Sequence, residues 1–176
     1  MLGELAAADP EAAARLHPND RKRIVRALEV FQQTGKTISQ HNRETRALPL
    51  RYDALTLSLA FQRREDMWAR IDRRVDEMMA AGLAEEVRAL LDSGVPVRCT
   101  AMQAIGYKEM AAALRGGGDV CAAAEEIKLR SRQYAKRQLT WFRRTEGAKW
   151  LFWGPEPDFE AACRTSTKYL EEFGLV

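Results

Sequence analysis

The sequence is poor in the residues that most often announce chemistry. Its 176 residues include only three cysteines and two histidines. Cys99, Cys121 and Cys163 are odd in number and far apart, and no C-x-x-C or Cys/His spacing joins them to His17 or His41. A disulfide framework and a patterned zinc site are therefore not indicated, and reduced, partly buried thiols of a cytoplasmic protein are expected. No Ser or Cys stands at a recognisable distance from either histidine, so no nucleophile–base pair is evident. The one glycine cluster, "LRGGGD", lacks the G-x-x-x-x-G-K-[ST] pattern and follows a helical stretch, so it is no phosphate loop. No apolar run approaches the length of a bilayer span. The N-terminal "MLGELAAADPEAA" carries acids where a secretory signal needs a basic start and an apolar run. Internal repeats and low-complexity tracts are missing too. The chain offers anion-binding parts and no visible catalytic or metal centre.

What is present is charge, unevenly spread. The formal net charge is only +3. Yet Arg15, Arg21, Lys22, Arg23 and Arg26 face Asp20 alone, and Lys128, Arg130, Arg132, Lys136, Arg137, Arg143 and Arg144 face only Glu125 and Glu126. Two basic clusters in a near-neutral chain point to a local polyanion site rather than a generally sticky surface.

Most of the sequence has helical period. Asp9-Pro10 reads as a cap and first helical residue of a short helix to about Arg15. Asn19 or Asp20 caps a helix over 20–34, with Ile24, Leu28 and Phe31 on one stripe and Gly35 at its end. "TISQHNRETRALP" is polar and aperiodic, a short helix or loop at a domain boundary. Over 51–61 the period changes: Leu55, Leu57 and Leu59 alternate with Thr56 and Ser58, which predicts a strand. Helices follow from about Arg64 to Ala81, with Met67, Ile71, Val75 and Met78 on one face, and over 83–92, burying Leu83, Val87 and Leu90. Thr100 with Gln103 predicts a capping box opening a helix to about Arg115. A long helix runs over about 120–144, a short buried strand over 148–153, and a last helix from about Asp158 to Phe173. The fold class is thus mainly α with two or three short strands. Two strands so far apart in sequence would be marginal alone, which suggests part of a larger sheet.

Four stretches could bind anions. Lys22, Arg23 and Arg26 share a helix face able to track phosphates, or they form a solvated side with Glu29 pairing Arg26. Arg70 and Arg74, one turn apart, could fork onto a phosphate or pyrophosphate, or pair with Asp66, Asp72 or Glu77. In "QAIGYKEM", Gly106 inside the predicted helix costs about 1 kcal/mol relative to alanine. Close approach of a ligand or a neighbouring helix would explain it, with Tyr107 and Lys108 beside it for stacking and charge. Lastly, "RSRQYAKRQLTWFRR" surrounds Tyr134, Trp141 and Phe142 with cations. Ile127, Tyr134 or Ala135, Leu139 and Phe142 would form its core stripe, and Gln133, Arg137, Thr140, Trp141 and Arg144 an adjoining face. Cations neutralise phosphates and aromatic planes stack on unpaired bases. An amphipathic helix with core aromatics and solvated cations is the plainer alternative.

"DPEAAARLHPNDRKRIVRALEVFQQTGKTIS", "RIDRRVDEMMAAGLAEEVRALL", "QAIGYKEM" and "RQYAKRQLTWFRR" followed by Trp150 occur in this order between about residues 9 and 153. Together they resemble the C-terminal half of the bacterial tRNA dimethylallyltransferases, also called isopentenylpyrophosphate:tRNA transferases. Arg21 and Lys22 depart from the family's usual proline and glutamine. The family's N-terminal half, with its phosphate loop, its aspartate general base and most of its parallel sheet, has no counterpart here.

The resemblance implies the C-terminal portion of an α/β P-loop-type fold, residues 49–176, preceded by part of a helical tRNA-binding insertion domain, residues 1–48. It implies transfer of a dimethylallyl group from dimethylallyl diphosphate, with Mg²⁺, to the exocyclic amine of the adenosine 3′ of the anticodon. Lys22, Arg23 and Arg26 would hold the tRNA anticodon stem-loop. Gln103, Gly106, Tyr107 and Lys108, with Lys136, Arg137, Gln138, Thr140, Trp141 and Arg143, would line the RNA side of a channel. Arg70 and Arg74 would meet pyrophosphate or nearby RNA phosphate. On this reading the chain is a monomeric, cytoplasmic fragment that binds tRNA and transfers nothing unaided. A stand-alone helical RNA-binding module and a helical domain for an acidic protein partner are the other two readings.

Overall fold

Asp9 stops one helix and starts another. In the computed structural model, which describes residues 1–49 and 51–175, α1 (Leu2–Ala8) ends at Asp9 and α2 (Pro10–Arg15) begins after it, with the Asp9 carboxylate accepting the Ala12 amide at 3.0 Å. The other carboxylate oxygen accepts the Ser39 amide at 3.0 Å. Ser39 lies in the first turn of α4 (Ile38–Ala47), so one buried side chain satisfies amides in the first turns of two helices. α4 itself resolves the helix-or-loop ambiguity. Thr37 accepts the Gln40 amide while the Gln40 side chain accepts the Thr37 amide, a reciprocal cap hidden in a polar stretch with no apolar period.

Between them runs α3 (Arg21–Thr34), closed by Gly35 in the left-handed conformation at φ 71°. Its inner face is Ile24 and Ala27 with Leu28, packed on Leu5 and Ala12. Phe31, predicted on the buried stripe, is exposed instead. α1 is a helix that the sequence reading did not identify. These helices belong to a first compact unit, Met1–Ala54.

The second unit, Leu55–Val176, begins with β1 (Leu57–Phe61), shorter than the predicted 51–61. α5 (Arg64–Ala80), α6 (Leu83–Asp92), α7 (Tyr107–Gly116) and α8 (Val120–Phe142) follow, then β2 (Lys149–Trp153) and α9 (Phe159–Phe173). The two strands pair in parallel, Leu59 opposite Leu151. The leucine alternation marks the strand correctly but not its inner face, since Ser58 is buried and Leu59 is half exposed. The core lies among the helices: Val75 of α5, Leu83 and Val87 of α6, Met110 and Ala111 of α7, and Ala123 and Ile127 of α8, with Met102 from a short 3₁₀ turn, Ala101–Gln103. Burying a side chain such as Ile127 contributes about 1.5–3 kcal/mol.

The predicted helix from Thr100 to Arg115 is broken. Thr100 makes no side-chain cap. Ala104 turns extended, and α7 starts only after Gly106, whose φ is +103°. Gly106 is therefore not a costly residue inside a helix. It is the entry to one, in a conformation that disfavours side chains. Glu109 supplies the acceptor, taking the Gly106 amide at 2.9 Å. Of the three free thiols, Cys99 is half-buried and Cys121 and Cys163 are exposed. Among the described residues no helix is long and apolar enough to cross a membrane.

Candidate nucleic-acid interface

α8 carries the basic stretch, and its cations divide into two sets. Asp119 caps the helix by accepting the Cys121 amide, and Ala123, Ala124 and Ile127 anchor its first half in the core. In that half every cation of the cluster has a carboxylate. Lys128 bridges to Asp76 at 2.7 Å and Glu125 at 2.8 Å, Arg130 to Glu126 at 2.6 Å, and Arg132 to Asp72 at 2.8 Å. The two carboxylates hold the Lys128 pKa above its ordinary value, through hydrogen bonds first and Coulombic attraction second.

Beyond Arg132 the pairing stops. Among the described residues, Lys136, Arg137, Arg143 and Arg144 have no carboxylate within ion-pair distance. Tyr134, Trp141 and Phe142 are exposed rather than buried, Trp141 to 66%. The expected core stripe through Tyr134 and Phe142 is thus wrong: the core ends near Ile127, and the second half of α8 projects past it. Trp141 stands edge-on to Phe142, with centroids 5.1 Å apart, and Arg137 lies over the Tyr134 ring.

Two adjacent stripes on this half form groove walls. Gln133, Arg137, Thr140, Trp141 and Arg144, with Lys136, line a shallow groove of about 450 Å³. Arg132, Lys136, Leu139 and Arg143 recur at i, i+4, i+7 and i+11 on the next face. They close a deeper groove of about 820 Å³ against Phe61, Arg63, Arg64, Met67 and Trp68. A third groove, about 610 Å³, runs toward α7 and joins Gln103 and Lys108 to Arg130, Gln133 and Arg137. Glu109, Asp119 and Glu126 also border it, but they are engaged by the Gly106 amide, the Cys121 amide and Arg130 respectively. Gln133 lines all three grooves, and Arg137 joins the Trp141 groove to the Lys108 groove.

The structure thus gathers Gln103, Lys108, Lys136, Arg137, Thr140, Trp141 and Arg143 around one half-helix. Other candidates lie elsewhere. Gln138 is exposed but borders none of these grooves. The Tyr107 hydroxyl donates to Glu86 at 2.5 Å, and this hydrogen bond, with burial and the Glu86 charge, raises its pKa. Gly106 acts through its backbone alone. Arg70 and Arg74 border a separate, apolar groove of about 380 Å³ with Met67, Ile71, Met78 and Ile127, where Arg74 also stands 3.8 Å from Glu77.

In the first unit, Lys22, Arg23 and Arg26 are exposed on the outer side of α3. Arg23 reaches Asp20 at 3.4 Å and Arg26 reaches Glu29 at 3.8 Å, both pairs open to solvent and worth little stability. Sequence reasoning missed Arg63, Arg64 and Trp68, and counted Arg132 in the basic cluster without assigning it to the site. The 132–136–139–143 spacing was the available signal.

The sequence model of the family described as "IPP transferase" matches residues 1–145. The chain belongs to this family. Among IPP transferase relatives, a tRNA dimethylallyltransferase of Trichlorobacter lovleyi is 50% identical over 151 residues, which is 86% of this chain and 49% of that protein. A tRNA dimethylallyltransferase of Bacillus subtilis is 46% identical over 160 residues, 91% of this chain and 50% of that one. The chain spans about half the length of the curated relatives it matches. Among solved structures, the tRNA isopentenylpyrophosphate transferase of Bacillus halodurans superposes with a TM-score of 0.66 at 35% identity, covering 98% of this chain and 51% of that one. A eukaryotic dimethylallyltransferase acting on tRNA superposes with a TM-score of 0.74 at 28% identity, covering 96% of this chain and 44% of that one.

Proposed function

We propose that this chain is the tRNA-receiving half of a tRNA dimethylallyltransferase. The reaction it serves is transfer of a dimethylallyl group from dimethylallyl diphosphate to the exocyclic amine of the adenosine 3′ of the anticodon, with pyrophosphate leaving. One observation carries the reading: among the described residues, four cations without carboxylate partners and an exposed tryptophan lie along the second half of α8 and the turn just beyond it, beside grooves of which one also takes in Gln103 and Lys108. Unpaired cations suit phosphates, and an exposed indole suits an unstacked base. A target base must leave its stack to react, at a cost of a few kcal/mol that stacking and backbone contacts offset.

In this reading residues 1–48 belong to a helical insertion domain whose Lys22, Arg23 and Arg26 hold the anticodon stem-loop, and residues 49–176 to the catalytic core. Gly106 and Tyr107 shape the approach to Lys108, Gln138 adds an exposed polar contact, and Arg70 and Arg74 meet pyrophosphate or RNA phosphate. Among the described residues no three His, Cys, Asp or Glu side chains gather as a metal site. The Mg²⁺ that the resemblance implies is assigned mainly to the family's N-terminal half, and no step here is routed through it. The general base is likewise assigned outside this chain.

The test has two arms. The purified chain is titrated with a labelled anticodon stem-loop RNA at several salt concentrations. Binding that weakens log-linearly with salt supports the reading, and salt-insensitive or absent binding overturns it. Incubation with tRNA, dimethylallyl diphosphate and Mg²⁺ is expected to leave the adenosine unmodified; clear turnover would place the catalytic base within these residues.

A further inference from the structure

The cations on α8 divide at Arg132, and Arg132 belongs partly to both sets. One Nη bonds Asp72 of α5 at 2.8 Å. Among the described residues its other guanidinium nitrogens have no hydrogen-bond partner. Its side chain retains 29% of its exposure, and it lines the deep groove beside Lys136 and Arg143. A guanidinium held at one corner, with free N–H groups facing a cationic groove, is prepared for a second anion.

Asp72, like Asp66 on the same helix, has a buried carboxylate oxygen without a partner among the described residues. Its Oδ2 takes the Arg132 bond, while its Oδ1 is buried and receives no hydrogen bond. A buried acceptor without a donor is unfavourable, so packing alone gives no reason for a carboxylate here. One helical turn on, Asp76 and Lys128 form a second α5–α8 bridge with Lys128 largely covered, and Lys128 borders none of the grooves. The two bridges are alike in geometry but differ in what lies behind them.

We infer that Arg132 is a further phosphate-binding residue of the α8 face and that Asp72 is the residue that positions it. The inference rests on the tRNA reading above and extends it: the RNA backbone occupies the 132–136–143 stripe while unpaired bases lie along the neighbouring 137–141–144 stripe. The bridge between Asp76 and Lys128 is structural only.

The experiment measures stem-loop RNA affinity against salt for the whole chain and its variants. Arg132→Gln is expected to weaken binding several-fold and to reduce the slope of log K against log salt by about 0.7, the contribution of one phosphate of single-stranded RNA. An unchanged slope overturns the inference. Asp72→Asn gives the sharper sign. Removing a negative charge near RNA should tighten binding if only long-range electrostatics matter, whereas loss of positioning weakens it, with recovery in Asp72→Glu. Binding as tight as the unaltered chain, or tighter, overturns the positioning role. Asp76→Asn should lower thermal stability and leave the salt slope alone; a changed slope would refute the contrast between the bridges. If a neutral variant loses its helical circular dichroism, Arg132→Lys decides. It keeps the charge and loses the fork, so the slope should persist with weaker binding, and unaltered affinity overturns the assignment. Failure of the unaltered chain to bind RNA sinks the tRNA reading and this inference together. Intact binding with an unmoved Arg132→Gln slope sinks only the inference.

Discussion

Lys108 of α7 and Arg137 of α8 line one groove, although different helices carry them. Their approach depends on the packing of Met110, Ala111, Ala123 and Ile127 beneath them. The core thus sets the spacing of two cations that no local sequence pattern connects. A spacing fixed by packed helices suits a ligand with regularly placed charges.

Trp141 and Arg137 should fail in different ways. Trp141→Ala is expected to cost about 1–3 kcal/mol of RNA binding, the range for one base–aromatic stack, with the salt slope unchanged. Arg137→Gln should make the slope shallower. Fluorescence titrations at three salt concentrations separate the two effects.

Gly106→Ala tests the entry to α7. A side chain at φ +103° strains the backbone by about 1–3 kcal/mol, and the nearest atom to an added Cβ, Met78 Cε at 3.9 Å, presents no clash. The loss is therefore conformational. It should appear as a lower urea midpoint at unchanged m, with weaker RNA binding as Lys108 is displaced.

Asp9 predicts an acid-sensitive first unit. Burial acts to raise its pKa, but hydrogen bonds from the Ala12 amide and from Ser39, with the Arg15 charge, leave it below its ordinary value of 3.8. A depressed folded-state pKa gives stability that is complete above the unfolded value and lost as pH falls through the folded one. Thermal melts should thus be flat above about pH 5 and decline from about pH 4 downward. In Asp9→Asn this decline should be smaller. Asp9→Ala, which removes both amide contacts, should cost about 1–4 kcal/mol near neutral pH, twice the usual range for one cap.

Tyr107→Phe separates ring from hydroxyl. The hydroxyl is committed to Glu86, so its loss should leave RNA affinity within twofold, while Lys108→Ala beside it should weaken binding measurably. A large loss in Tyr107→Phe would mean that the hydroxyl changes partner when RNA arrives.

α5 and α6 were legible in the sequence because apolar residues recur at helical spacing along each, over more than four turns in α5 and nearly three in α6. The break before α7 was not. Thr100 and Gln103 fit the capping-box pattern, whereas Gly106 has no side chain to cap with and Glu109 supplies only one half of a box; the packed loop nevertheless starts the helix at Gly106, with the Gln103 amide turned to the Val97 carbonyl at 2.8 Å. Tyr134 and Phe142 were misplaced for a related reason. Periodicity identifies which residues share a face but not where along a helix its partner stops, and α8 continues past its core. The α4 helix was half visible because its stability comes from caps and contacts to Asp9 rather than from an apolar stripe. The groove around Trp141 was legible as one helix face; the groove formed with Phe61, Arg63 and Trp68 required the fold.

Because β1 and β2 lie side by side in parallel, everything from α5 to α8 is one long crossover between two short strands. Joining ends so distant in the chain carries a loop-closure cost that only already formed helices make acceptable. The helices should therefore acquire protection from hydrogen exchange first and Leu59 and Leu151 last. The strand pair would act as a clasp that closes over a helical body already assembled.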